Sequence, residues 1–540
     1  MTYEELVEEN KKLNIKLQNA ELELTALRRI VFGSKRENTP VNKEQLVDSD
    51  QCSLFETEKE ADENLEKQEK EKIEEIVVHR KKNNKKKQAG IKRNALKNVV
   101  IEKEEYVLKE DEKCPICNGN LKVVGKELVR QEIEFEPAKF KIKQIVQYTY
   151  KCEECGTDKS ENPNSTFVKA PIPKALLTHS FISPSLATEV IYQKYCLGVP
   201  LYRQEKMWDD KGLVLLRNMM ANWNIKLTEY YFEPLYELML NDIKKNSELL
   251  HSDETTMQCN KEPGRKATSN SYMWVLRSGE LEQNKGVIFK YSSSRSAETA
   301  SEYLKGFKGV LVTDGYAGYN NIEGIIHAEC WAHARRYFYE SVPLKDNKEM
   351  DTTAEGFKGV EYCDKLFKIE REIALLSMQE KLEVRQSQSK KILEEFFAWV
   401  LQTSEKIIVN NKLKKAITYA LNQKKELSEF LNDARIPLSN SLAERAIRPF
   451  AVHRKNWLFA DSVAGAKANA VIYSLVESAK ANKLNVYKYI KYLLDNLPQI
   501  ENINDEESLS KYLPWSKELP TEILNCECAE SEDPVVAAEQ

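Results

Sequence analysis

At Ser247 the hydrophobic pattern of the chain changes period, and that change limits the fold more than any other feature. Before it, residues 175–245 read as helix, with breaks at LGVP and DDKG. After it come the strand-like runs ELLHSDET, SYMWVLRSG and GVIFKYSS, a helical stretch near 296–306, and the apolar run GVLVTDGY of a buried strand. Asp253 ends the first of these strands and Asp314 ends the fourth, 61 positions later.

Three strands, a helix and a fourth strand, in that order, are the opening of a ribonuclease-H-like sheet. In such a sheet the first and fourth strands are neighbours, so the two aspartates would meet at one edge. Two-metal phosphoryl transfer needs hard oxygen ligands that hold Mg²⁺ ions about 4 Å apart. A third carboxylate stands in SNSLAERAIRPFAVHRKNWLF, where Glu444 follows Asp314 by 130 residues, with Arg445 and Arg448 beside it. Each acid alone fits an ordinary structural place; their joint placement points to chemistry.

Upstream, CPIC at Cys114 and Cys117 and CEEC at Cys152 and Cys155 are separated by 34 residues of mostly strand-like pattern. Two such knuckles place four thiolates around a structural zinc, although the spacing exceeds the usual loop. A redox pair is the competing reading. In the helical region, a helix–turn–helix is expected over LVLLRNMMANWNIKL, with Arg217, Asn218, Asn222 and Lys226 available to DNA.

The N-terminal residues 3–31 carry a heptad seam. Leu6, Leu13, Ala20 and Leu27 take one core position, and Asn10, Leu17, Leu24 and Val31 the other. The pattern predicts a two-stranded coiled coil, hence a homodimer. From about 38 to 98 the chain turns polar, acidic and then basic, with nine Lys or Arg between Arg80 and Lys97. This reads as a disordered linker whose cations suit phosphate contacts.

A net charge of −4 does not announce a nucleic-acid binder, so DNA contacts would come from local basic surfaces. No stretch approaches the ~20 apolar residues of a membrane span, and the charged start MTYEELVEENKKLN lacks a secretory pattern. A cytoplasmic location, with reduced cysteines, is the expectation.

These residues resemble the insertion-sequence-66 transposases, a group of Asp-Asp-Glu recombinases. The likeness covers nearly the whole chain: the N-terminal zipper with FGSKRE at Phe32, both cysteine pairs, PLYRQE at Pro200, HSDET around Asp253 and TDGYAGY at Asp314. It continues through HAECWAHARRYF from His327 and the block from Asn440 through SLVESAKAN. The resemblance implies that Asp253, Asp314 and Glu444 are the metal-binding catalytic acids. It also implies a helical insertion at about 342–435 and a small C-terminal element after about Ala481. Ser439, Asn440 and Ser441 stand where the family usually has an acid and two asparagines, His453 where it has glycine, and Arg36 where serine is common.

His327, Cys330 and His333 invite a zinc reading, but ligands at i, i+3 and i+6 do not share one helical face. The box reads instead as core beside the active site, with Arg335 and Arg336 as phosphate partners. Arg454, Lys455, Asn456 and Trp457 combine cations, an amide and a ring suited to a splayed end base.

The expected architecture is a multidomain α+β protein. It comprises a coiled coil (1–37), a linker (38–98), a zinc ribbon (99–170), a helical DNA-binding region (171–246), a ribonuclease-H-like catalytic domain (247–480) and a C-terminal element with tail (481–540). The expected function is DNA transposition: cleavage at element ends dependent on two Mg²⁺ (or Mn²⁺) ions, then attack of each 3′-hydroxyl on target DNA. Its partners would be terminal inverted repeats, target DNA, further copies of the chain and accessory proteins. The alternatives are a domesticated, catalytically inactive zinc-ribbon DNA-binding protein and a structure-selective nuclease.

Overall fold

The computed structural model describes residues 140–151, 167–320, 322–345 and 349–524. The expected coiled coil, linker, FGSKRE box, four paired cysteines and tail from 525 lie outside the described residues. Within the expected ribbon, β1 (Thr149–Lys151) pairs antiparallel with β2 (Phe167–Lys169). No helix among the described residues is long and apolar enough to cross a membrane.

The helical region has α1 (Pro184–Tyr195), α2 (Leu201–Asp210), α3 (Arg217–Leu227) and α4 (Glu233–Asn246). Ser183 caps α1 by accepting from the Leu186 amide, and Pro184 occupies the first turn, where a missing N–H costs nothing. Both predicted breaks are real. At LGVP, Gly198 takes φ 68 before Pro200 opens α2, and at DDKG, Gly212 takes φ 78. A single π turn, Thr228–Phe232, joins α3 to α4.

Next come β3 (Leu249–Lys261), β4 (Asn270–Ser278), β5 (Val287–Ser292), α5 (Ala297–Leu304), β6 (Gly309–Thr313), β7 (Ile325–Glu329) and α6 (Trp331–Ser341). The sheet runs in the order β5-β4-β3-β6-β7. The first three strands are antiparallel, and β6 and β7 run parallel to β3. The predicted succession of three strands, a helix and a fourth strand is therefore present, with the first and fourth strands adjacent.

Alternation along the strands feeds two cores, one on each face. Leu250 and Leu311 join the core shared with α1–α4, whereas Leu249, Val310 and Val312 join the core under α6. The second core is completed by α7 (Glu355–Glu372), α9 (Lys390–Ser404), α10 (Asn411–Asn422) and α11 (Lys424–Ser428), whereas α8 (Met378–Val384) between them buries no residue in it. These helices occupy the stretch expected to be a helical insertion. Its closure rests on Arg385, whose guanidinium bonds Glu370 at 2.6 and 2.8 Å and the carbonyls of Phe430 and Asp433 at 2.8 and 2.9 Å.

The chain then forms α12 (Ser441–Trp457), β8 (Phe459–Ser462), α13 (Val463–Ala481) and α14 (Val486–Asn496). Strand β8 lies parallel to the far half of β3, with Gln258 opposite Phe459. This corrects the sequence reading of Asp253 as a strand end, because β3 continues through it to Lys261. Helix α13 covers β5, where Ser478 and Ser474 accept from the amides of Val287 and Phe289 at 2.9 and 2.8 Å.

Candidate active site

Strand β3 has two successive partners on one side. It pairs with β6 through His251 and with β8 from Gln258, so residues 252–257 face a fork between them. Asp253 lies at this fork. Asp314 follows the last residue of β6, and Glu444 sits in the first turn of α12, which packs across β3. Three elements far apart in sequence thus bring the three predicted acids to one place.

Their proximity has an electrostatic consequence. Burial raises the Asp253 carboxyl well above the usual carboxylate range, and the charges of Glu254, Asp314 and Glu444 push it further. Opposing this, Asp253 Oδ1 accepts from the Glu254 amide at 2.8 Å. Asp314 Oδ1 accepts from the Tyr316 amide at 3.1 Å. A buried carboxylate whose ionisation is opposed by neighbouring carboxylates is one that a hard divalent cation would relieve.

Glu254 is the neighbour the sequence reading passed over. It faces the opposite side of the sheet from Asp253, where Arg295 Nε donates to it at 2.6 Å and the Tyr319 hydroxyl at 2.5 Å. Burial and the Asp314 charge push it up to about 7 against those two partners. The signal was present in HSDET and TDGYAGY, which contain Glu254 and Tyr319.

Asn440, the residue before α12, ties the acids together. Its Nδ2 donates to the Ser252 carbonyl at 2.9 Å, leaving Oδ1 to face His251 Nδ1 at 2.9 Å. Burial lowers His251 to about 4, so the ring is neutral and Nδ1 carries the donated hydrogen. The Asn440 amide donates to Cys330 Sγ at 3.1 Å, and its carbonyl accepts from the Glu444 amide at 3.2 Å.

In the HAECWAHARRYF box the histidines part company. His327 Nε2 meets the Thr313 hydroxyl at 2.7 Å, whereas His333 turns toward Glu444, with Nδ1 3.7 Å from Oε1. Among the described residues, the metal-capable group whose ligand atoms all lie within 4.8 Å of one another is Cys330, His333 and Glu444, not the three acids. Glu329, at the end of β7, accepts from the Tyr419 hydroxyl at 2.8 Å, and burial pushes it up to about 8.

The predicted basic contacts separate by environment. Arg217 is exposed on α3, with Asn218, Asn222 and Lys226 exposed along it. Arg445, Arg448 and Lys455 form an exposed stripe on α12, opposite the buried Ala443, Ala446, Ile447 and Phe450. Arg336 is half-buried, with Nε and Nη1 lacking hydrogen-bond partners. The remaining four are held by identified neighbours. Arg335 holds Asp364 with contacts of 2.6 and 3.3 Å, and Arg454 donates to Thr256 at 3.1 Å. Asn456 donates to the Gly198 carbonyl at 3.0 Å, and Trp457 packs edge-on to Phe450.

Residues 179–468 match the family model described as "Transposase IS66 family". Residues 111–156, which include all four paired cysteines, match a zinc-finger binding domain of transposase IS66, and residues 474–515 match the IS66 C-terminal element. Among curated proteins, the uncharacterized protein y4jD of Sinorhizobium fredii is 29% identical over 434 residues, covering 77% of this chain and 79% of the relative. The uncharacterized protein y4hP of the same organism is 27% identical over 434 residues, covering 77% and 75%. Among solved structures, the Drosophila P element transposase strand transfer complex aligns with 62% of this chain and 86% of its own, at 12% identity and a TM-score of 0.22.

Proposed function

The chain belongs to the IS66 family of transposases, and from that premise we propose that it cleaves DNA at the ends of its element and joins each 3′-hydroxyl to target DNA. The proposed catalytic acids are Asp253, Asp314 and Glu444, on a sheet read as ribonuclease-H-like. The observation that carries this reading is their convergence at the fork of β3, where Asp314 and Glu444 both raise the cost of ionising Asp253.

The three carboxylates would hold two Mg²⁺ or Mn²⁺ ions, which when bound would supply activation of the attacking hydroxyl and stabilisation of the leaving oxygen. The chain's own part is position. Asn440 fixes the helix that carries Glu444 against the strand that carries Asp253. Arg295 and Tyr319 keep Glu254 engaged on the far face of the sheet. Arg336, Arg445, Arg448 and Lys455 would hold DNA phosphates near the acids, and Arg217 a more distant part of the element end. Cys114, Cys117, Cys152 and Cys155 would ligate one structural zinc in the zinc-finger domain, and the N-terminal heptads would pair two copies.

The deciding experiment is strand transfer of a pre-cleaved element end into plasmid DNA with Mg²⁺ or Mn²⁺. Wild type should join the end, and Asp314→Asn should bind it with equal affinity yet fail to join. Joining by the variant would overturn the assignment, and cutting of branched substrates without joining would favour the nuclease.

A further inference from the structure

The feature that the catalytic reading leaves unused is the company Glu444 keeps. Its carboxylate shares a buried pocket with Cys330 and His333, and the thiol, imidazole and carboxylate ligand atoms lie within 4.8 Å of one another. We propose that Cys330, His333 and Glu444 form a second metal site, which takes a borderline-soft divalent cation such as Zn²⁺ and withdraws Glu444 from the other two acids.

The donor set selects the ion. Sulfur and imidazole nitrogen favour zinc or cobalt over magnesium, which prefers oxygen alone. Three protein ligands with a fourth position left for water is a common zinc arrangement. Contraction to tetrahedral bonding, at ~2.0–2.3 Å per ligand, requires rotation of the Glu444 and His333 side chains toward the sulfur.

The sulfur already has a backbone donor. Cys330 is the N-cap residue of the eleven-residue α6, its side chain makes no capping hydrogen bond there, and its sulfur accepts from the Asn440 amide at 3.1 Å. Such N–H donors stabilise a metal-bound thiolate. His333 Nδ1 is buried with no hydrogen-bond partner. On binding, the thiol proton leaves to solvent and the sulfur bonds the ion. Occupancy of this site and productive catalysis would exclude each other, because both need the same carboxylate.

Metal uptake rests on these three side chains alone, and its effect on joining rests on the catalytic reading of Glu444. The test uses the full chain as wild type, Cys330→Ala and His333→Gln, each loaded with Co²⁺ and without DNA. Cobalt at the four-cysteine domain should be common to all three proteins. Wild type should take up one further equivalent, with additional thiolate-to-cobalt absorption that both variants lack. In Mg²⁺-supported joining, each variant should need at least about tenfold more Zn²⁺ for half-inhibition than wild type.

Equal cobalt uptake and equal absorption across the three proteins would overturn the site. If Cys330→Ala fails to fold, His333→Gln decides the matter, since it leaves the Cys330–Asn440 bond in place. Extra cobalt in wild type without a difference in zinc sensitivity would overturn the withdrawal of Glu444. Joining by Asp314→Asn would instead strike the catalytic reading and leave the cobalt result standing.

Discussion

The side-chain amide of Asn440 donates to the carbonyl of Ser252 across 2.9 Å, linking the residue before the Glu444 helix to the residue before Asp253. Replacing it by alanine removes this bond and the one to His251, leaving two buried groups unsatisfied. Asn440→Ala should lower unfolding free energy by ~1–3 kcal/mol per orphaned group, measured by denaturant titration. Joining should fall on the order of a hundredfold from misplacement of Glu444, while affinity for the element end stays within twofold. Unchanged joining would show that the helix is positioned by other contacts.

The basic residues should divide by their exposure. Arg445→Ala and Lys455→Ala, from the exposed stripe on α12, should each reduce the slope of log K against log salt by about 1. Arg335→Ala should leave that slope alone, since its guanidinium is held by Asp364. Because that pair is partly exposed, its loss should cost only ~0.2–1 kcal/mol of stability. Filter or anisotropy binding over a salt series checks all three.

Arg385 is a buried cation whose Nε, Nη1 and Nη2 are all engaged. Arg385→Ala should destabilise the helical insertion by ~3–5 kcal/mol, because it strands Glu370 and two carbonyls. Hydrogen exchange should show the loss across α7, α8 and α9 before it reaches the sheet. Uniform loss across the whole chain would mean that the insertion does not open separately.

Glu477 on α13 is held above the usual carboxylate range by burial, which outweighs the opposing effect of Lys480. A raised folded-state value stabilises the protein below the unfolded value, and that contribution is lost as pH rises through the folded value. Glu477→Gln should therefore be more stable than wild type at neutral pH, and the difference should vanish below about pH 4, near the unfolded carboxylate value. Thermal unfolding across pH reads this directly, and a constant offset would refute it.

Much of this architecture was legible in the sequence because it is written in local periodicity. The strand runs after Ser247, the helix near residue 300 and the breaks at Gly198 and Gly212 each depend on a few consecutive residues. What stayed hidden depends on distant pairing. The stretch TTMQCNK continues β3 against β4 as far as Gln258, and its last residues are extended by Phe459–Ser462, which returns beside them some 200 residues later. Asn440 sits between two departures from the family pattern, Ser439 and Ser441, and its bonds to His251 and Ser252 span 189 and 188 positions. Asp253, Asp314 and Glu444 were readable as candidates from element ends and family resemblance, but Glu444's nearness to Cys330 and His333 required the fold. Asn456 and Trp457 looked suited to DNA by residue type, and only packing revealed their partners, Gly198 and Phe450.

The serines of α13 have a consequence for assembly. An outer strand with open amides invites a strand from another molecule. Ser474 and Ser478 occupy the outward amides of Phe289 and Val287, so the β5 margin is already spoken for within the chain. Copies gathered on one DNA molecule would not merge their sheets along this margin, and each could keep its own register of acids while its neighbours come and go.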